Sequence, residues 1–197
     1  MLHQGALGVA KRVFRYLKGT VHHGLVYRFI IGKKLAIETF ADADYGNCLD
    51  ARPSVSGYAL MMNGNHLRAQ TIAVDDTCSA ESIAASECLT EVKWAHNLLE
   101  QLGIEHKQTV LHQDNQAAIA LLQNNGKRFK IRAVDPKYHH VMDIVEAKEI
   151  DVRFCSTDEM VTYVLMKPLT HDKFERTRKR LNVEDTSGAT AKHQRVK

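Results

Sequence analysis

Three carboxylates stand where runs of regular pattern begin or end. Asp42 closes the apolar run "IETFAD", Glu81 opens "AESIAASECL", and Asp114 follows "QTVLHQ". An ionised carboxylate beside an apolar segment is costly unless something positive holds it, because desolvation disfavours the charged form. Several gathered at one place also repel one another, and a hard cation with oxygen-ligand preference, Mg²⁺ before Zn²⁺, relieves both costs. Element ends are where α/β folds collect their sites, so one cluster is the natural reading of the coincidence. Each residue taken singly has a plainer role open to it. Glu81 in a first helical turn gains about 0.3–1 kcal/mol from the helix dipole, and Asp114 or Asn115 serves as an ordinary N-cap.

The elements that must position these carboxylates follow from periodicity. A long helix over roughly 79–101 carries the apolar stripe Ala84, Ala85, Cys88, Val92, Ala95, Leu98, Leu99 and Leu102; one turn back lies Glu81, at the start of the core-facing stripe. Gly103 stops that helix. From Gly24 to Ala73 the chain reads as strands with a turn at Gly32-Lys33-Lys34 and a hairpin at Asn63-Gly64-Asn65, hence an antiparallel meander. After the long helix come a strand in "QTVLHQD", a helix in "NQAAIALLQNN", another in "KYHHVMDIVEAKE", and a strand in "IDVRFCST". A helix in "DEMVTYVLM" is expected to open on Thr157 or Asp158, and a last one runs from Thr170 to Leu181. The sum is an α/β chain: a meander of strands first, then helices and strands in alternation.

At the N-terminus, Ala6 to Lys18 patterns as an amphipathic helix with Val9, Val13, Phe14 and Leu17 on one side and Lys11, Arg12, Arg15 and Lys18 on the other. Such a basic face meets phosphates or is simply solvated. Beyond Asn182 the sequence is polar, small and charged, and disorder is expected there.

Composition bounds the function classes. A chain of 197 residues, 44% apolar and 25% charged, is expected to bury one main core, and no apolar run approaches the ~20 residues that span a bilayer. The first twenty residues lack the apolar core of a secretory signal. Four cysteines show neither Cys-x-x-Cys nor zinc spacing and read as reduced thiols, so a cytoplasmic or nuclear location is expected. A formal charge of +4 permits nucleic-acid binding without demanding it.

The segments "KRVFRYLKGTVHHGLVYR", "FADADYG", "VSGYAL", "AESIAASE", "WAHNLLEQLGI", "HQDNQAAIAL", "VDPKYHHV" and "MKPLTHDKFERTRKRLNV" occur in the order and spacing of another family. Together they make the chain resemble the C-terminal part of the Pol polyprotein of a copia-type long-terminal-repeat retrotransposon. The resemblance implies a ribonuclease H domain with a reverse-transcriptase tail ahead of it: residues 1–30 as tail, 31–168 as a ribonuclease H-like domain with three antiparallel strands and then parallel ones, 169–183 as a C-terminal helix and 184–197 as a disordered tail. It further implies hydrolysis of RNA in RNA–DNA hybrids by two Mg²⁺ ions, with Mn²⁺ as a substitute. Asp42, Glu81 and Asp114 would then be the catalytic and metal-holding residues, and a reverse-transcriptase domain a partner.

Departures from the family pattern are equally legible. The segment that carries the family's fourth carboxylate, Ala-Asp-Ile-Leu-Thr-Lys-Pro, is "TYVLMKP" here, with Tyr163 in place of the Asp. A phenol with a pKa near ~10 is a neutral, poor Mg²⁺ ligand. "CSAES" replaces Thr-Glu-Ala-Glu-Tyr, and Ala133 replaces a His. These changes, with the start of the chain inside the reverse-transcriptase tail, imply a drifting copy whose hydrolysis is impaired, or alternatively a nucleic-acid-binding or structural remnant without catalysis. Asp158 and Glu159, one turn before Tyr163, are read as a cap and a first-turn acid rather than substitute ligands.

Overall fold

The computed structural model describes residues 4–28, 34–44, 54–74, 80–123 and 136–188. At its centre is a five-stranded sheet made of β2 (Ile37–Asp44), β3 (Ser54–Met62), β4 (Asn65–Val74), β5 (Thr109–Gln113) and β6 (Ile150–Phe154). The order across the sheet is β4-β3-β2-β5-β6. β2, β3 and β4 pair antiparallel, whereas β5 runs parallel to both β2 and β6. The turn between β3 and β4 is made by Asn63 at φ 50° and Gly64 at φ 74°, a left-handed pair that matches the twist of a two-residue hairpin. This is the expected ribonuclease H-like arrangement: three antiparallel strands, then parallel ones.

Strand alternation sorts the side chains onto two faces. Ile37 and Ala41 of β2, Tyr58 and Leu60 of β3, and Leu111 of β5 belong to one buried cluster, covered by α2 (Ala80–Gln101), α3 (Gln116–Gln123) and α4 (Pro136–Glu146). Phe40 of β2 and Ala59 and Met61 of β3 belong to a second cluster with Cys155, Met160, Val161 and Leu181. Each large side chain so buried contributes about 1.5–3 kcal/mol. α2 buries Ala84, Ala85, Cys88, Val92, Ala95 and Leu99 as expected and adds Leu89; Leu98 and Leu102, predicted for the same stripe, are exposed.

Three expectations are corrected. No helix opens at Thr157 or Asp158: the segment turns there, and only α5 (Tyr163–Met166) is helical. Met160, Val161 and Thr162 are all buried, and three consecutive residues cannot face one side of a helix. Burial against the sheet overrides the local pattern. Asp158 accordingly caps nothing; its Oδ1 lies 2.6 Å from Lys173 Nζ. The third difference is at the C-terminal end, where disorder was expected from residue 184. Val183–Asp185 form β7, which pairs antiparallel with β1 (His23–Leu25). The Thr186 N–H and hydroxyl both donate to the His22 carbonyl, at 2.9 and 2.6 Å, so an open strand edge orders a polar segment that has no core of its own.

α1 (Gln4–Gly19) forms where expected, but its apolar side chains Val9, Val13, Phe14 and Leu17 are exposed. Tyr16 meets Phe174 of α6 (His171–Arg180) edge to face, with ring centroids 5.7 Å apart. Among the described residues no helix is long and apolar enough to cross a membrane. Gly32 and Lys33 of the expected turn, Ala133, Cys48 and Cys78 lie outside the described residues. Cys88 and Cys155 are free and buried.

Candidate functional site

The parallel pairing of β2 and β5 sets the geometry of the site. Their ladder runs through Glu38 with Val110, Thr39 with Leu111 and Phe40 with His112. Two residues further on in each strand direction stand Asp42 and Asp114, level with one another at the carboxyl ends of adjacent strands. Asp42 shares its face with Phe40, and Asp114 follows His112 by the same step of two. Phe40 and His112 confirm the common face, since their rings stack with centroids 4.6 Å apart. The place where α/β sheets bind ligands is thus the place where two of the predicted carboxylates meet.

α5 closes over that place. Its first residue, Tyr163, donates its hydroxyl to Asp114 Oδ2 at 2.5 Å. Lys167, just past its end, donates to Asp42 Oδ2 at 3.2 Å, and the same ammonium lies 4.1 Å from the centroid of the Tyr163 ring. Gly57 makes the approach possible. It is the β3 partner of Asp42, and a Cβ there would come within 3.0 Å of Met166 Sδ. A glycine inside a strand commonly marks such a close approach.

Asp42 is buried, with 5% of its side chain exposed, whereas Lys167 keeps 27%. Burial raises the Asp42 carboxyl from its ordinary 3.8 to about 6; the Lys167 charge opposes this, and the Asp114 charge adds to it. Burial, and then the hydrogen bond to Asp114, hold the Tyr163 phenol well above its ordinary value, so it is a neutral donor at any physiological pH. Asp42 is therefore held by something positive, and the positive group belongs to the chain itself.

The structure brings Asp42 and Asp114 together. Glu81 is the second residue of α2, as expected for a residue opening that helix, but only its backbone is described. Among the described residues no group of three or more His, Cys, Asp or Glu could hold a metal ion. Asp42 and Asp114 are oxygen ligands of the kind that the implied Mg²⁺ ions would take, but Asp42 is paired with an ammonium, Asp114 accepts from a phenol, and that phenol fills the position where the resemblance implies a further carboxylate. Lys167 is the residue that sequence reasoning missed. It lay in the segment "TYVLMKP", where the lost Asp drew attention to Tyr163.

The chain is homologous over most of its length to a segment of the retrovirus-related Pol polyproteins of copia-type transposons. It is 30% identical over 169 residues, 84% of the chain, to the Pol polyprotein from transposon TNT 1-94 of Nicotiana tabacum. It is 27% identical over 183 residues, 90% of the chain, to that from transposon RE1 of Arabidopsis thaliana. The chain spans 12% of the length of each of these relatives. No family model matches. Among solved structures, the N-terminal RNase H domain of a Mycobacterium tuberculosis protein is 12% identical with a TM-score of 0.43, over 73% of this chain and 97% of that one. RNase H1 of Halobacterium salinarum is 14% identical with a TM-score of 0.39, over 62% and 86%.

Proposed function

We propose that this chain is a retrotransposon-derived domain that binds RNA–DNA hybrids and hydrolyses their RNA strand only weakly. One observation carries the reading: the carboxylates that the family would use, Asp42 and Asp114, are gathered at the strand ends but already engaged by Lys167 and Tyr163. The ancestral activity is Mg²⁺-dependent hydrolysis with Asp42, Glu81 and Asp114 as the catalytic set. Tyr163 stands where the family carries a fourth carboxylate and holds Asp114 in a hydrogen bond, so turnover falls.

Contact with nucleic acid is supported by charge. α1 carries Lys11, Arg12, Arg15 and Lys18 and no acidic residue, and α6 ends on Arg178, Lys179 and Arg180. The Tyr16–Phe174 contact joins the two helices. α1 we assign to the tail of a reverse transcriptase, which makes that domain a partner. A second reading, hybrid binding without any hydrolysis, is favoured by Tyr163 standing where the family carries its fourth carboxylate.

The test is cleavage of a labelled RNA–DNA hybrid with Mg²⁺ and with Mn²⁺ by the chain, by Asp42→Asn and by Tyr163→Asp. Slow cleavage by the parent, none by Asp42→Asn and faster cleavage by Tyr163→Asp are expected. Binding without cleavage by any of the three selects the second reading. Absence of hybrid binding even at low salt, where phosphate contacts are strongest, defeats both.

A further inference from the structure

We infer that Lys167 is a built-in cation of the carboxylate site, one that holds Asp42 in competition with a divalent metal ion. The inference rests on the reading above for the site's ancestry, and on the following geometry for everything else. The Lys167 ammonium is 3.2 Å from Asp42 Oδ2 and 4.1 Å from the centroid of the Tyr163 ring, while the hydroxyl of that same ring reaches Asp114. One ammonium thus sits over the group that links to the second carboxylate. A cation over an aromatic face gains further attraction when partly desolvated, and here the side chain is 27% exposed.

The backbone aims Lys167 at this position. The Lys167 N–H donates to the Tyr163 carbonyl at 2.8 Å, ending α5, and φ −123° with ψ 141° turns the residue out of the helix. The following Pro168 favours that extended conformation, since its ring disfavours α geometry in the residue before it. Met166, packed over Gly57, seats the helix on the β3 residue that pairs with Asp42. Four local features therefore converge on one contact.

Competition follows from charge and from space. The carboxylates of Asp42 and Asp114 with the one ammonium on Asp42 sum to a single net negative charge, a weak attractor for a divalent ion. A metal ion bound through Asp42 Oδ2 would share that oxygen with the ammonium and repel it. Lys167 must leave before the metal binds well, and the cost of its departure is subtracted from metal affinity. The device lets the domain keep a buried carboxylate without metal.

The experiment is Mn²⁺ binding to the full chain without nucleic acid, read from the electron paramagnetic resonance signal of free Mn²⁺. Lys167→Gln and Lys167→Met are compared with the parent; the Met variant keeps an apolar stem over the Tyr163 ring should the Gln variant fold poorly. Lys34→Gln, which breaks the exposed pair with Glu105, serves as the control for a lost positive charge. Both Lys167 variants should bind Mn²⁺ about three- to tenfold more tightly. The Lys34 variant should not change, and adding Asp42→Asn to Lys167→Met should abolish the gain. Unchanged or weaker binding in a folded Lys167 variant, or an equal gain in Lys34→Gln, overturns the inference. Because no hybrid is present, tighter Mn²⁺ binding combined with failure to bind hybrid would defeat the functional reading alone.

Discussion

Replacing Asp42 by Asn should stabilise the metal-free protein at neutral and alkaline pH, with a size that depends on pH in a calculable way. The side chain is 5% exposed, and Asn keeps its shape without ionising. Burial raises the carboxyl from 3.8 to about 6 even with Lys167 beside it. A carboxyl raised in the folded state favours folding in its protonated form. That contribution is fully present below the unfolded value and is lost as the pH rises through the folded one. A rise of about two on the pH scale, at about 1.36 kcal/mol each, makes the ionised Asp42 cost about 3 kcal/mol near pH 8. The variant escapes that cost, and the attraction of Lys167 brings no separate offset because the value of about 6 already contains it. A gain of about 3 kcal/mol near pH 8 should therefore shrink to about 1 kcal/mol near pH 4.5 and vanish below the unfolded value. Urea unfolding followed by circular dichroism, in the presence of a chelator and at several pH values, measures the difference directly. A variant less stable than the parent near pH 8, or a difference that stays flat across the range, refutes the reasoning.

Two further substitutions probe the same site from its other walls. Tyr163→Phe removes the hydroxyl that donates to Asp114 at 2.5 Å and should cost about 1.5–3 kcal/mol, the range for a hydrogen bond to a charged group, in urea unfolding at neutral pH; a change within error would show that water replaces the phenol without loss. Gly57→Val places atoms where Met166 now packs and should cost about 1–3 kcal/mol by overcrowding. It should also tighten Mn²⁺ binding as the Lys167 variants do, because α5 is displaced; destabilisation without any change in metal affinity would separate the seat of α5 from the position of Lys167.

Much of the frame was legible before any fold was known. The alternation in "IETFAD" sends Ile37 and Ala41 to one face and Phe40 and Asp42 to the other, and the two clusters of the core follow it. Asn63-Gly64 announced the hairpin because few other pairs accept two positive φ values. The helix behind Glu81 was visible in its stripe, although Leu98 and Leu102 proved exposed while Leu99 between them is buried. These are local rules, and local rules depend only on neighbours in the chain.

Contacts across long sequence separations were not legible. Disorder past residue 183 was a fair inference from composition, but β1, some 160 positions away, offered an edge to pair with. The helix expected at Asp158 gave way because Met160, Val161 and Thr162 are all drawn into the core. The residue pattern placed Asp42 and Asp114 at the ends of two strands, and the family resemblance placed Tyr163 where a carboxylate was expected. Only the parallel register of β2 and β5 sets the two carboxylates level, and only the packing of Met166 over Gly57 brings Lys167 across 125 residues of chain to Asp42. Charge compensation is a matter of distance in space, and a pattern of neighbours along the chain does not contain that distance.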